Sequence, residues 1–254
     1  MSLVSICWCL SPNVGDALSP WLVSRLGHEP VYFDQAWAGQ RTLLSGSILN
    51  WAKPGDIAWG VGLASMSDRV RPGVKIRSVR GPLSRDRALA CGVACPPVFG
   101  DAAMILPLLY TPQPKPERSI GIIPHYTDMY RVLHAYSRED VISPLLPVEQ
   151  FVDEVCSRDL IVSSSLHGLV IAHAYGKKAA WVQFSDSLYG DGTKFRDHLM
   201  AVGIEPYKPT DCRLKSASKD NLLQVANSSA LPSYTDVSRR MLYDALPDYL
   251  RAAS

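Results

Sequence analysis

A serine-rich turn followed by a histidine is the segment of this chain best suited to hold an anion and move a proton. Residues 160–162 form a short apolar run that predicts a buried strand, and serines at 163–165 interrupt it. Apolar residues 169–175 then predict a helix that ends at Gly176. The first N–H groups of a helix have no partner within it and attract phosphate or carboxylate groups. His167 lies in this turn, and imidazole titrates near neutral pH, so we predict that it donates a proton.

The other residues of the turn are candidate ligand contacts. Serines and glycine are poor material for a hydrophobic core, which favours a functional His167 over a neutral, buried one. Hydroxyl and backbone groups of the turn would bind the anion; the residues concerned are Ser164, Ser165, Leu166 and Gly168.

Polar residues also follow other predicted strands. Asp16, with Asn13 before it, follows the first strand, Arg80 follows an apolar strand, and His125 follows Pro124. An arginine at a strand end suits a carboxylate or phosphate. Each residue also has a plainer interpretation: Asp16 as a helix cap, Arg80 as a surface residue at a turn, and His125 as a packed or solvated side chain.

Two more charged residues occupy comparable places. Asp101 follows Gly100 as Asp16 follows Gly15, and would order Arg80 or cap a helix. Lys194 lies in a glycine-containing loop, where it would neutralise an anion or remain solvated.

Strand-like and helix-like segments alternate along the chain, which predicts an α/β fold with parallel sheets. The predicted strands are 4–10, 42–44, 57–61, 74–79, 97–100, 119–123, 160–162 and 179–184. The predicted helices include 17–26, 82–91, 129–136, 169–175, 195–202 and 237–250.

A proline-rich stretch at 111–116 divides the alternation and predicts a linker. We therefore predict Rossmann-like domains at 1–112 and 117–232, and a C-terminal helix at 233–254 that packs back on the first domain. Ligands of such sheets bind at the carboxyl ends of the strands, so the cleft between the domains is the expected active site.

Composition excludes several classes of function. The 254 residues are 47% apolar and 20% charged, and the net charge is +2 with scattered basic residues, which argues against nucleic acid as a partner. No apolar run approaches the roughly 20 residues that span a bilayer. The first residues lack the features of a signal peptide, so a cytoplasmic location with reduced cysteines is expected. No cysteine or histidine spacing indicates a metal site.

Taken together, these segments resemble the polysaccharide pyruvyl transferase family. The resemblance runs from about residue 12 to 176, with a weaker match through Lys194-Phe195. It rests on Asn13-Val14-Gly15-Asp16, Gly46-Ser47-Ile48-Leu49, Trp59-Gly60-Val61-Gly62, Val79-Arg80-Gly81-Pro82, Gly100-Asp101, Pro124-His125 and Ser163-Ser164-Ser165-Leu166-His167-Gly168.

The resemblance implies a glycosyltransferase-B-like fold and phosphoenolpyruvate as donor, with no other cofactor. The product would be a pyruvate ketal on two hydroxyls of a sugar, in an exopolysaccharide or its lipid-linked precursor, which allows loose contact with a membrane. His167 would be the general acid and Arg80 a donor-binding arginine. Ser165 stands where the family often has an arginine, so the serines, backbone N–H groups or Lys194 would complete the donor site. Asp16 or His125 would accept a proton, and Asn13, Ser47 and Asp101 are further possible contacts.

Other functions remain open from sequence. A nucleotide-sugar glycosyltransferase of the same fold is the nearest alternative. A serine hydrolase built on Ser164 and His167 is disfavoured because the chain has no Gly-x-Ser-x-Gly elbow. A non-catalytic module that binds acidic glycans is the third alternative.

Overall fold

The fold is described by a computed structural model that covers residues 2–34, 36–113, 115–213 and 218–251. Pro114 of the predicted linker, residues 214–217 of the predicted second domain, and residues 1 and 252–254 at the predicted domain ends lie outside the described residues.

Two parallel sheets form the framework, which confirms the predicted α/β class with two Rossmann-like halves. The first has the order β2-β1-β3-β4-β5 and the second the order β6-β7-β8-β9. Every strand pair is parallel, and helices supply crossovers. The strands are β1 Leu3–Ile6, β2 Glu29–Tyr32, β3 Thr42–Leu43, β4 Ile57–Ala58, β5 Lys75–Ile76, β6 Arg118–Ile123, β7 Arg158–Ser163, β8 Lys178–Gln183 and β9 Thr210–Asp211.

Several strands of the first sheet are shorter than predicted. The segments predicted at 4–10, 57–61 and 74–79 leave the sheet early, and 97–100 contributes a single bridge between Val79 and Phe99. Their remaining residues lie in loops, some of them buried, such as 59–61, and others exposed, such as Leu10, so apolar character alone overestimated strand length. The sequence analysis also missed β2, whose Pro30 is tolerated because the strand lies at an edge of the sheet.

Helices pack on both sheets, and 3-10 turns connect several elements. The helices are α1 Val14–Arg25, α2 Pro82–Ala90, α3 Leu106–Leu109, α4 Met129–Ala135, α5 Val148–Cys156, α6 Leu166–Ala174, α7 Thr193–Ala201, α8 Lys219–Ser228 and α9 Asp236–Asp244. The 3-10 turns are Leu49–Trp51, Ala102–Ile105, Tyr126–Asp128 and Asp248–Leu250.

The start of α1 corrects one sequence-based interpretation. We expected a helix from residue 17 with Asp16 as its possible cap, but α1 begins at Val14. Asn13 is the N-cap, since its side-chain oxygen accepts a hydrogen bond from the N–H of Asp16 at 3.2 Å. Asp16 therefore lies in the first turn, and its carboxylate is available for another role.

The chain returns to the first sheet after completing the second. The helix predicted over 237–250 is divided, because α9 ends at Asp244 and Pro247 precedes the last 3-10 turn. The indole N–H of Trp59 donates to the carbonyl of Leu242 at 2.8 Å, and the Tyr234 hydroxyl donates to the carbonyl of Phe99 at 2.8 Å. Residues 234–250 thus complete the core of the first half.

All six cysteines are free thiols. Among the described residues, no helix is both long enough and apolar enough to cross a membrane.

Candidate active site

A cavity of about 440 Å³ opens where the two halves of the chain meet. Residues from both halves line it, near the carboxyl ends of both sheets, where ligands of such folds bind. The lining comprises Asn13, Asp16, Gly46, Ser47, Ile48, Asn50, Trp51, Ala64, His125, Tyr126, Pro144, Ser165, Leu166, His167, Tyr189 and Lys194.

His167 lies in the second residue of α6, at the end of the turn that follows β7. Its side chain lines the cavity although the residue is only 8% exposed. Nε2 lies 3.2 Å from the Ser45 hydroxyl oxygen and 3.6 Å from Oδ1 of Asp101. Protein groups therefore hold the Nε2 side of the ring.

Asp101 is fully buried behind His167 and does not line the cavity. Its Oδ1 accepts a hydrogen bond from the N–H of Ala103 at 3.1 Å, so it caps the 3-10 turn that follows. Oδ2 has no hydrogen-bond partner among the described residues. Asp101 therefore acts as a cap, one of the two roles considered from sequence, and it orients His167 instead of Arg80, which was the other.

Gly15 leaves the space that the His167 ring occupies. A Cβ built on Gly15 would overlap the ring, with Nδ1 as the nearest atom. The backbone of α1 thus packs directly against the imidazole, which only glycine permits here. The Ser45 hydroxyl also donates to the carbonyl of Gly15 at 3.2 Å and links the same groups.

Asp16 brings a carboxylate to the cavity wall beside His167. Its Oδ2 accepts a hydrogen bond from the amide of Asn13 at 2.6 Å. Burial raises the pKa of the Asp16 carboxyl, although His167 and the bond from Asn13 act in the opposite direction. A carboxylate with a raised pKa binds a proton more readily than an exposed one.

The three serines of the turn make different contacts. The Ser163 hydroxyl donates to the carbonyls of Ile123 and Ser165, and that of Ser164 accepts from the N–H of His125 at 2.8 Å. Ser165 and Leu166 line the cavity, and no side chain caps α6. Gly168 does not line it, because its Cα packs against Ser163.

Arg80 lies outside the cavity wall. It is fully buried, and its guanidinium donates to the Ser47 hydroxyl at 2.9 Å and to the Leu63 carbonyl. Nε lies 3.3 Å from Oδ2 of Asp197, which joins the two halves of the chain. Arg80 therefore reaches the cavity through Ser47, which does line it.

Two basic side chains of the cavity have pKa values below their ordinary values. Burial and the positive charge of Lys194 lower the pKa of His125 to about 4, so its imidazole is neutral near pH 7. Burial and Arg80 lower the pKa of Lys194 to about 8, although Asp16 acts in the opposite direction. Lys194 also donates to the carbonyl of Tyr189 at 3.0 Å.

Several residues of the site were missed from sequence. Ser45 directly precedes the Gly46-Ser47 segment that had been noted, and that adjacency was the available signal. Asp197 has no local signal, since it lies within α7 and meets Arg80 only in the folded chain. Aromatic residues of the wall were also missed, namely Trp51, Tyr126 and Tyr189.

Within the described ranges, no group of three or more His, Cys, Asp and Glu side chains could hold a metal ion.

Comparison with known proteins identifies the family of this chain. A model of the polysaccharide pyruvyl transferase family matches residues 47–185, more than half of the chain. The chain belongs to this family. The matched region contains Ser47, Arg80, Asp101, His125 and the serine turn, which the two halves bring together around the cavity.

Two individual proteins are also similar to this chain, each over part of its length. Uncharacterized protein L143 of Acanthamoeba polyphaga mimivirus is 30% identical over 171 residues, which are 63% of this chain and 59% of that protein. Succinoglycan biosynthesis protein ExoV of Rhizobium meliloti (strain 1021) is 29% identical over 208 residues, 78% of this chain and 63% of that protein. The chain thus spans about three fifths of the length of these curated relatives.

Proposed function

We propose that the protein transfers the pyruvyl group of phosphoenolpyruvate to two hydroxyls of a sugar and releases phosphate. The acceptor belongs to an exopolysaccharide or its lipid-linked precursor, and the reaction takes place in the cytoplasm. The supporting observation is His167, which Asp101 and Ser45 hold at the start of α6 in a cavity between the halves. Membership of the pyruvyl transferase family supports the reaction class.

The donor has two anionic groups, and the cavity offers two kinds of anion contact. One is the start of α6, where no side chain caps the first N–H groups. The other is the Lys194 ammonium. Arg80 contributes through the Ser47 hydroxyl that it holds, because its own guanidinium is occupied by protein groups.

The reaction begins when His167 gives a proton to C3 of phosphoenolpyruvate. C3 becomes a methyl group, C2 becomes an oxocarbenium ion, and one sugar hydroxyl attacks C2 and loses its proton. The C2–O bond to phosphate then breaks, and the second hydroxyl attacks the renewed oxocarbenium ion, which closes the ketal ring. Of the two hydroxyl protons, one restores His167 and the other leaves with phosphate.

Asp16 and His125 are suited to receive the hydroxyl protons. Both line the cavity. Burial raises the pKa of Asp16, which strengthens it as a base, and the low pKa of His125 keeps its imidazole unprotonated near pH 7. The Ser164 hydroxyl bonds to the backbone of His125 instead of the His167 ring, which gives a serine hydrolase no support.

Incubation with phosphoenolpyruvate and a panel of oligosaccharides tests the function. We expect one acceptor to gain a pyruvate ketal by mass spectrometry, with one phosphate released per ketal. Transfer of a sugar from a nucleotide sugar, without ketal formation, would establish the glycosyltransferase alternative instead. Glycan binding without turnover across the panel would identify a non-catalytic module.

The affinity for phosphoenolpyruvate is expected to fall as pH rises through about 8, because Lys194 loses its positive charge there. Loss of one charged contact corresponds to roughly tenfold in the dissociation constant. Calorimetric titration between pH 6.5 and 9.5 measures it. Lys194→Arg is the matched control, since arginine stays charged over this range and should remove the decrease. An unchanged pH dependence in that variant would separate Lys194 from donor binding.

A further inference from the structure

A second cavity, of about 300 Å³, lies at the carboxyl edge of the second sheet. It is formed where the chain leaves β7 and β8 and where it approaches β9. The polar and aromatic residues of its wall include Asp128, Ser164, Trp181, Gln183, Arg196 and Lys208. This edge is the general ligand-binding edge of a parallel sheet, and the proposed reaction does not use this cavity.

Asp128 contributes a carboxylate to this wall. The residue is 4% exposed, and its side chain does not cap α4. No described residue donates a hydrogen bond to this carboxylate or forms an ion pair with it within 4.0 Å. An ionised carboxylate is an acceptor only, and it binds ligand hydroxyls that reach it. A ligand hydroxyl would supply the donor that Asp128 lacks.

Trp181 provides a flat wall and an unused donor. It is 5% exposed, and its ring stacks on Phe195 with centroids 4.3 Å apart and planes inclined by 9°. Its indole N–H has no acceptor among the described residues, while its backbone N–H donates to the Tyr207 hydroxyl at 2.9 Å. An indole N–H is a hydrogen-bond donor only. A ligand oxygen would satisfy this group as well.

Two basic side chains without an ion-pair partner among the described residues, Arg196 and Lys208, also line this cavity. Arg196 makes one hydrogen bond, to the Thr193 hydroxyl at 3.3 Å, and no described carboxylate pairs with Arg196 or Lys208. Asp191 lies in the same wall, and its carboxylate accepts hydrogen bonds from the Ser65 hydroxyl and the N–H groups of Met66 and Thr193. The arginine fork therefore favours a carboxylate or phosphate on the ligand.

The two cavities share a wall. Ser164 belongs to the second cavity and His125 to the first, and the Ser164 hydroxyl accepts the His125 N–H at 2.8 Å. The 3-10 turn Tyr126–Asp128 likewise presents Tyr126 to the first cavity and Asp128 to the second. The two cavities are therefore neighbours on either side of this turn.

We propose that the second cavity binds an anionic sugar unit of the acceptor glycan, next to the unit that receives the ketal. The proposal rests on the proposed function, because it assigns the neighbouring cavity to donor and reaction. Asp128 accepts a sugar hydroxyl, Trp181 packs against the ring and donates its N–H, and Arg196 binds the carboxylate of a uronic acid or the phosphate of a sugar phosphate.

Direct binding tests the site without turnover. Saturation-transfer NMR compares glucuronic acid, glucose 1-phosphate and glucose as probes of the wild-type protein. We expect either anion, or both, to bind more tightly than glucose, and the preferred anion identifies a uronate or a phosphate as the source of charge. Equal binding of glucose would overturn the proposal.

Variants separate this site from the catalytic one. Asp128→Asn and Arg196→Gln should each raise the KM for an acidic acceptor roughly tenfold or more, and should leave the KM for phosphoenolpyruvate unchanged. Asp159→Asn, an exposed position in β7, is the control that should change neither. Unchanged acceptor KM in folded Asp128→Asn and Arg196→Gln would reject the subsite. Absence of ketal formation by the wild type would reject the proposed function alone, while loss of anion binding in these variants would still support the cavity.

Discussion

Replacing His167 with alanine is expected to slow pyruvyl transfer by roughly 10²–10⁴-fold while the protein stays folded. The imidazole is the proposed proton donor to C3, and Asp101 and Ser45 hold it in place. The size of the loss reflects what a positioned general acid contributes in other enzymes. Phosphate release at saturating phosphoenolpyruvate and acceptor measures the rate, and circular dichroism with thermal unfolding verifies the fold.

His167→Gln is the matched control for this variant. Glutamine fills much of the same volume and can hydrogen-bond to Ser45, but it has no titrating group near neutral pH. We expect it to lose as much activity as His167→Ala and to bind phosphoenolpyruvate with little change. Turnover near the wild-type rate in either variant would remove His167 from the mechanism.

Replacing Gly15 with alanine is expected to lower the rate roughly 10²-fold, although Gly15 has no side chain and performs no chemistry. The added Cβ would overlap the His167 ring at Nδ1, so the ring must move away from Asp101 and Ser45. Misplacement by about 1 Å is enough for a loss of this size. Alanine is favourable within α1, so helix stability itself does not suffer. Single-turnover phosphate release reports the chemical step.

The double variant Gly15→Ala/His167→Ala identifies the cause of that loss. If Gly15→Ala acts by displacing the imidazole, the double variant should be no slower than His167→Ala alone. Additive losses would show that Gly15 acts through another group of the cavity. Full activity of Gly15→Ala would mean that the ring and helix adjust without consequence.

Local sequence predicted the parts of the site that neighbouring residues determine. The run at 160–162, the serines and the apolar helix behind them place His167 at a strand-to-helix turn, and β7 and α6 form there. The two parallel sheets follow from the same alternation. Asn13, Asp16, Ser47, His125, Ser165, Leu166 and Lys194 also reach the cavity.

Contacts between distant segments could not be predicted in this way. The sequence suggests that Arg80 binds a ligand, but Asp197 and the Leu63 carbonyl occupy its guanidinium in the folded chain. Likewise, Asp101 and His167 meet only because the two halves pack together. Their roles depend on tertiary packing, which hydrophobic periodicity does not encode.

The return of the chain to its first half has a consequence for the order of folding during synthesis. Leu242, Leu246 and Leu250 are buried in the same core as Trp59, yet they leave the ribosome after both sheets have been made. Domains usually fold as units from the amino terminus as they emerge. Here the earlier half can bury the apolar surface around Trp59 completely only after residues 242–250 have been synthesised. The core of the first half is therefore completed after the second sheet has been synthesised, which reverses the usual order of domain folding from the amino terminus.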